Sequence, residues 1–355
     1  MAIVGALLLA ELSARWVGPE IPRVAGSEER VYIKADQLYG HGGHMDLVFL
    51  GASETAGGLL PGVVDKEVTG LSGAYNAALV GAPPSTNAIW FKRVVDPAVH
   101  PDVAVIGMLP MAASRIDVKA DPAAKNVAAY QAAFDIIDPG GLGSIAWRLR
   151  QRSALIRYRT ELRQPVLLFK GIGRATQDLV GDEADDAKDP ANDAKGIDAE
   201  TETDPKAVAR NTAPTGEILD YRQASLPVTK DDVGAAIYKI FEDGTPYYSL
   251  LARLVDTLRS HGTVPVIALA PIDRKPLIAG GVDFVRLDRL ATELARWGAD
   301  HGVPVLDTFT STWPSDLFHD RNHLDLAGAK RWSVEVGTWL DQLCRQHELG
   351  SACTS

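Results

Sequence analysis

Short, continuously apolar runs alternate along the chain with longer segments of helical period. The runs cover Asp46 to Leu50, Gly73 to Leu79, Val103 to Met108, Val264 to Ala270 and Val303 to Asp307. Runs this short, closed by glycine, proline or acidic turns, fit strands covered on both faces. Between them the spacing predicts helices over Asn87 to Val95, Asn126 to Ile137, Ser144 to Leu162, Asp231 to Ser260, Phe284 to His301 and Asp325 to Gln346. Two stripes are the clearest: Val285, Leu287, Leu290, Leu294 and Trp297, and Leu250, Leu251, Leu254, Val255 and Leu258. Both read as core. Strands that alternate with helices imply a parallel sheet with crossover helices, hence an α/β protein with a three-layer α/β/α sandwich.

A length of 355 residues fits one decorated α/β domain, expected over 41–346, with a lead-in at 1–40 and a tail at 347–355. A long excursion interrupts the pattern from about Ser114 to Lys230. It opens with Arg148, Arg150, Arg152, Arg157, Arg159 and Arg163, which read as a solvated helix face or as a contact for an anionic polymer or lipid headgroups. Gly181 to Pro214 then holds almost no large apolar residue. Such a stretch buries too little to offset its ordering entropy and is expected to be disordered.

The net charge of −10 argues against a nucleic-acid partner, which needs a clustered basic surface. Ten carboxylates between Asp182 and Asp204 account for most of that charge, so the rest of the chain is near neutral. The two cysteines, Cys344 and Cys353, lack a CxxC or His-rich setting, so no metal site is expected from them. They fit either a small disulfide loop or two free thiols. At the other end, Ala2 to Ala10 is apolar, too short to span a bilayer and without a basic lead. It reads either as part of a signal or anchor helix, placing the protein outside the cytoplasm, or as a first helix packed on the core of a cytoplasmic protein.

Chemistry enters where the first run breaks. In Gly51-Ala52-Ser53-Glu54-Thr55 a glycine ends the strand and delivers a hydroxyl onto the following turn. Far along the chain, Asp320-Arg321-Asn322-His323-Leu324 supplies a carboxylate and an imidazole three residues apart. A serine needs a base to take its proton, and the base needs an acid to fix its tautomer, so the pair reads as a split nucleophile system. Asp316 and His319 share the same spacing and form a rival dyad. His41 and His44, in His-Gly-Gly-His, lack the helical spacing of a metalloprotease and read as a polar turn. No Gly-x-Ser-x-Gly elbow, P-loop or Gly-x-Gly-x-x-Gly follows the first strand.

Both motifs resemble the first and last blocks of the SGNH hydrolase superfamily, in that order and across most of the domain. The resemblance implies a flavodoxin-like sheet, with Ser53 as nucleophile, His323 as base, Asp320 as its orienting acid and no cofactor. Tyr75-Asn76-Ala77-Ala78-Leu79-Val80-Gly81 is similar to the family's glycine block, which makes Gly81 an oxyanion donor beside the Ser53 N–H. Two departures stand out. Ala52 replaces the usual aspartate, and Met108-Leu109-Pro110-Met111 stands where the family has an asparagine donor.

Loss of one such donor costs about 10²- to 10³-fold in rate, so Ser85, Thr86, Asn87 and Ser114 are considered as substitutes. These departures resemble a divergent branch of membrane-tethered, extracytoplasmic proteins similar to alginate-type O-acetyltransferases and proteins of teichoic-acid D-alanylation. The function so implied is acyl-ester hydrolysis or O-acyl transfer on an acylated small molecule or polysaccharide, with a membrane acyl donor as partner. The alternative is a catalytically weak scaffold that binds a polysaccharide or protein in the same pocket.

Overall fold

The computed structural model describes residues 2–18, 21, 26–115, 124–137, 205–219 and 233–353, with short pieces between 145 and 176. Its strands are β1 (Leu47–Gly51), β2 (Ala74–Asn76), β3 (Val103–Met108), β4 (Ser114–Arg115), β5 (Thr245–Pro246), β6 (Val264–Leu269) and β7 (Val305–Asp307). Five of them form one parallel sheet in the order β2-β1-β3-β6-β7, while β4 and β5 make a separate antiparallel ladder. Counting only the strands of the large sheet, this is the 2-1-3-4-5 order of doubly wound folds. Such sheets bind ligands beyond the carboxyl ends of their strands, where the order switches between β1 and β3.

Successive residues of each strand feed opposite cores, which is why the runs are apolar throughout. Val48, Leu50, Ala104, Ile106, Ile267 and Leu269 face one side, against the helices Gly26–His41, Ala124–Ile137, Ser249–Ser260 and Phe284–Asp300. Leu47, Phe49, Val103, Val105, Val266 and Ala268 face the other, against Val64 and the helix Leu326–Arg345 through Trp332, Val336 and Leu340. Helices thus cover both faces of the sheet.

Several expectations need correction. Asp231 to Ser260 is two helices, Val233–Glu242 and Ser249–Ser260, because Gly244 turns the chain and Pro246 enters β5 beside β4. Val285 is 83% exposed and is not core; it lies two residues before Leu287, so it points away from the buried Leu287, Leu290, Leu294 and Trp297. The helix expected from Asn87 starts at Pro84, where a missing N–H is tolerated, and runs through a wider turn at Phe91–Val95 into Asp96–Val99.

Of the arginine-rich segment expected to be one helix over Ser144 to Leu162, Ala154–Arg157 is a short helix, Arg157 pairs with Asp36, and Arg152 and Arg163 are exposed. Arg148, Arg150 and Arg159 lie outside the described residues. The disorder expected for Gly181 to Pro214 fails at its end. Pro205–Arg210 is a helix with Val208 fully buried, and Thr212 pairs with Ile218; residues 181–204 lie outside the described residues. That returning segment lies along β2, with the Asn76 N–H donating to the Thr215 carbonyl at 2.9 Å and the Ile218 N–H to Ala56 at 2.8 Å.

The helix Ala2–Val17 is held by Glu11, whose carboxylate accepts from the Ala154 N–H (2.7 Å) and the Ser153 hydroxyl (2.8 Å). Ala14 and Val17 are buried, but Val4, Leu7, Leu8, Leu9 and Leu12 are exposed, so its main apolar face is not packed on the core. No described helix is long and apolar enough to cross a membrane. Cys344 and Cys353 form a disulfide that folds the chain's last turn back onto the helix Leu326–Arg345.

Candidate active site

Ser53 opens the short helix Ser53–Gly58 directly after β1, with Ala52 extended between them. The turn needs a glycine at 51, since a Cβ there would lie 2.3 Å from both the Gly107 carbonyl oxygen and Thr55 Oγ1. Asn87 braces this turn from the side. Its Oδ1 accepts from the Gly51 N–H (3.3 Å), and its Nδ2 is shared among the carbonyls of Ala82 (3.1 Å), Pro83 (3.3 Å) and Gly51 (3.4 Å).

The second half of the site comes from the loop between β7 and the helix Leu326–Arg345. Phe318 bridges to Leu324, the His319 N–H donates to the His323 carbonyl at 2.8 Å, and Asp325 caps the helix through the Gly328 N–H at 2.8 Å. Inside that turn one oxygen of Asp320 accepts the main-chain N–H groups of Asn322 (2.9 Å) and His323 (2.8 Å). The other oxygen accepts from His323 Nδ1 at 2.7 Å.

With Nδ1 as the donor, Nε2 is left as acceptor for the Ser53 hydroxyl, 2.8 Å away. Burial would raise the Asp320 carboxyl, but the hydrogen bond and charge of His323, together with the two backbone N–H groups, hold it at about 2. The acid therefore stays ionised and can stabilise an imidazolium. Ser53 and His323 are both buried. An arrangement with a serine hydroxyl on an imidazole, and that imidazole on a carboxylate, can deliver an alkoxide-like nucleophile and return its proton to a leaving group.

The structure brings Ser53, Asp320 and His323 together and sets the rival dyad aside: Asp316 is exposed in a short 3₁₀ turn, and the serine hydroxyl meets His323. Gly81 adopts a left-handed conformation, φ +66°, in the turn Leu79 to Ala82, whose Leu79 N–H donates to the Gly51 carbonyl at 3.1 Å. That turn therefore abuts the nucleophile turn. Of the residues considered as substitutes for the missing asparagine donor, Asn87 lines the cleft at the carboxyl ends of β1 and β3. Asn87 has its amide committed to backbone carbonyls; Thr86 is buried, and its hydroxyl meets no partner among the described residues. Ser85 is half-buried in the first turn of its helix, and the Ser114 hydroxyl donates to Met111 (2.8 Å) at the β4–β5 ladder.

Two neighbours of the site carry no motif. Glu54 is buried directly after the nucleophile. Tyr238, from the helix Val233–Glu242, is buried too; its phenol is pushed up, first by burial and then by the carboxylates of Glu54 and Asp320. Only the 53–54 adjacency was visible in the sequence, since Tyr238 arrives from a helix that reads as plain core.

A small cleft lies between the carboxyl ends of β1 and β3. Gly51, Ala52, Glu54, Ala82, Pro84, Asn87, Ile106, Gly107, Met108 and Ala112 line it. At the opposite, amino-terminal edge of the sheet, His44 Nε2 faces Asp102 at 2.8 Å and Asp46 at 3.4 Å, and the three side chains offer donor atoms within 4.8 Å of one another. His41 is exposed at the end of its helix. The sequence matches no protein-family model and no curated protein.

Proposed function

We propose that the chain is a serine-dependent acyl-ester hydrolase or O-acyltransferase of SGNH type, acting on an acylated carbohydrate or other acylated polymer. The observation that carries this is the unbroken line from Ser53 through His323 to Asp320, at 2.8 and 2.7 Å. Ser53 attacks the ester carbonyl, His323 moves the proton, and Asp320 fixes the imidazole. The Ser53 and Gly81 N–H groups are the oxyanion donors in this reading. Contact with a membrane is supported by the exposed Val4, Leu7, Leu8, Leu9 and Leu12 on the first helix; the extracytoplasmic side and a membrane acyl donor enter this reading from the family resemblance alone.

A second reading, a catalytically weak scaffold that binds a polysaccharide or partner, draws on the segment after β3, where Met108, Leu109, Pro110 and Met111 offer no side-chain N–H. A fluorophosphonate probe separates the two. Labelling at Ser53, lost in Ser53→Ala, supports the enzyme; no labelling of the folded protein supports the scaffold. The acceptor is then read by mass spectrometry of cell-surface glycans with and without the protein.

A further inference from the structure

The loop that carries the imidazole also carries an amide. Asn322 precedes His323, and one oxygen of Asp320 accepts the main-chain N–H groups of both, at 2.9 and 2.8 Å. The Asn322 side chain is therefore tied in position to the ring. Its Nδ2 lies 3.5 Å from His323 Nε2, the nitrogen that meets the Ser53 hydroxyl. With that hydroxyl as donor at 2.8 Å, Nε2 carries no proton of its own, so the end of the amide turned towards it is the donor end.

Ser53 already holds the ring nitrogen, and 3.5 Å is long for a hydrogen bond, so the amide N–H groups are left unused. Asn322 is half-buried, and its side chain makes no other hydrogen bond among the described residues. A donor with no firm acceptor in the protein, beside the reacting nitrogen, is available to an oxygen of the substrate.

The direction of approach decides which oxygen. The ester carbonyl oxygen belongs with the Ser53 and Gly81 N–H groups, which follow β1 and β2. The alcohol oxygen must come within about 2.6–3.2 Å of Nε2 to take its proton. Asn322 stands on that side, on the imidazole's own loop.

We propose that the Asn322 side-chain N–H donates to the alcohol oxygen of the ester, and to the water or hydroxyl oxygen that later replaces it. The assignment rests on the serine-hydrolase reading. Ser53 Oγ bonds to the carbonyl carbon as its proton passes to Nε2. The bond from that carbon to the alcohol oxygen then breaks, and this oxygen takes the proton from Nε2 while it accepts from Asn322. In the second half the incoming O–H gives its proton to Nε2, its oxygen bonds to the same carbon, and Ser53 Oγ leaves and recovers the proton. Asn322 transfers no proton; it offsets the charge that builds on the departing oxygen.

The test compares two alkyl esters, ethyl acetate and glucose pentaacetate, with p-nitrophenyl acetate. An alkoxide needs a proton and a donor to leave, whereas p-nitrophenolate leaves readily without either. All three esters form the same acyl-enzyme through the same oxyanion. Asn322→Ala should lower kcat/KM on the alkyl esters about tenfold more than on p-nitrophenyl acetate, with a urea midpoint near wild type.

Equal losses on all three esters overturn the assignment, because a structural role or an oxyanion donor acts on them alike. No loss on any of them does the same, as does a wild type active on p-nitrophenyl acetate alone. Should Asn322→Ala fail to fold, as read by circular dichroism, Asn322→Leu is judged by the same ratio. A wild type that turns over no ester and is not labelled at Ser53 by a fluorophosphonate overturns the hydrolase reading, and this assignment with it.

Discussion

Asn76 holds the nucleophile's helix from behind through Thr55: its side-chain amide donates to the Thr55 carbonyl at 2.9 Å and, one turn on, to the Leu59 carbonyl at 2.8 Å. Asn76 is fully buried on β2. Removal of the amide leaves buried carbonyls unpaired, at a cost of about 1–3 kcal/mol each. Asn76→Ala should therefore lower the urea midpoint and slow fluorophosphonate labelling of Ser53 together. A variant with wild-type midpoint and labelling rate would show that the helix is held by its packing alone.

Lys34 continues the same brace, with its Nζ donating to the carbonyls of Asn76 and Ala78, both at 2.7 Å. Burial pushes this amine well below 10.5, the charge of Arg30 adds to that, and Glu217 opposes it. A depressed lysine pKa means that the unfolded chain binds more protons in the window between the folded value and about 10.4, so stability rises with pH there. Lys34→Met should lower stability by about 2–4 kcal/mol and flatten the rise on the alkaline side up to about pH 10.4, read by urea titration at each pH. An equal slope in both proteins would refute the account.

For the triad, Ser53→Ala and His323→Ala should each reduce p-nitrophenyl acetate turnover by about 10³-fold or more, because the three groups act as a unit. Asp320→Asn should be equal or milder, since its role is to orient the ring. Turnover near wild type in either of the first two removes the assignment.

Asp320 also makes a prediction about acid. Its folded value, about 2, lies below the ordinary 3.8, so the stability it contributes is complete above about pH 4 and is lost as pH falls towards 2. Acid titration by circular dichroism should show a steeper loss in that window for the wild type than for Asp320→Asn. Parallel curves would mean that the ion pair adds nothing to folding.

The strands were legible because a sheet covered on both faces writes itself as short apolar runs, and Ser53 and His323 because each closes such a run or opens a helix. The helix Gly26–His41 was not, since its inward face carries Arg30 and Lys34, which mask the apolar period of Val31, Leu38 and Tyr39. The break at Gly244 to Pro246 was visible as residues but hidden by apolar stripes on both sides. Asn87 was singled out as a substitute donor, and the brace it makes depends on where the Gly51 and Ala82 carbonyls fall, which no spacing encodes. Tyr238 reached the site only through the fold.

The cover over β2 bears on solubility. A three-residue strand at the rim of a sheet ordinarily leaves main-chain groups able to recruit a strand from another molecule. Here Thr215 takes the outward Asn76 N–H, so the rim is closed by the chain's own return from its long excursion. Selection on that returning stretch would then act through resistance to aggregation as much as through catalysis. A cell that trimmed it away would first lose soluble protein, and only then activity.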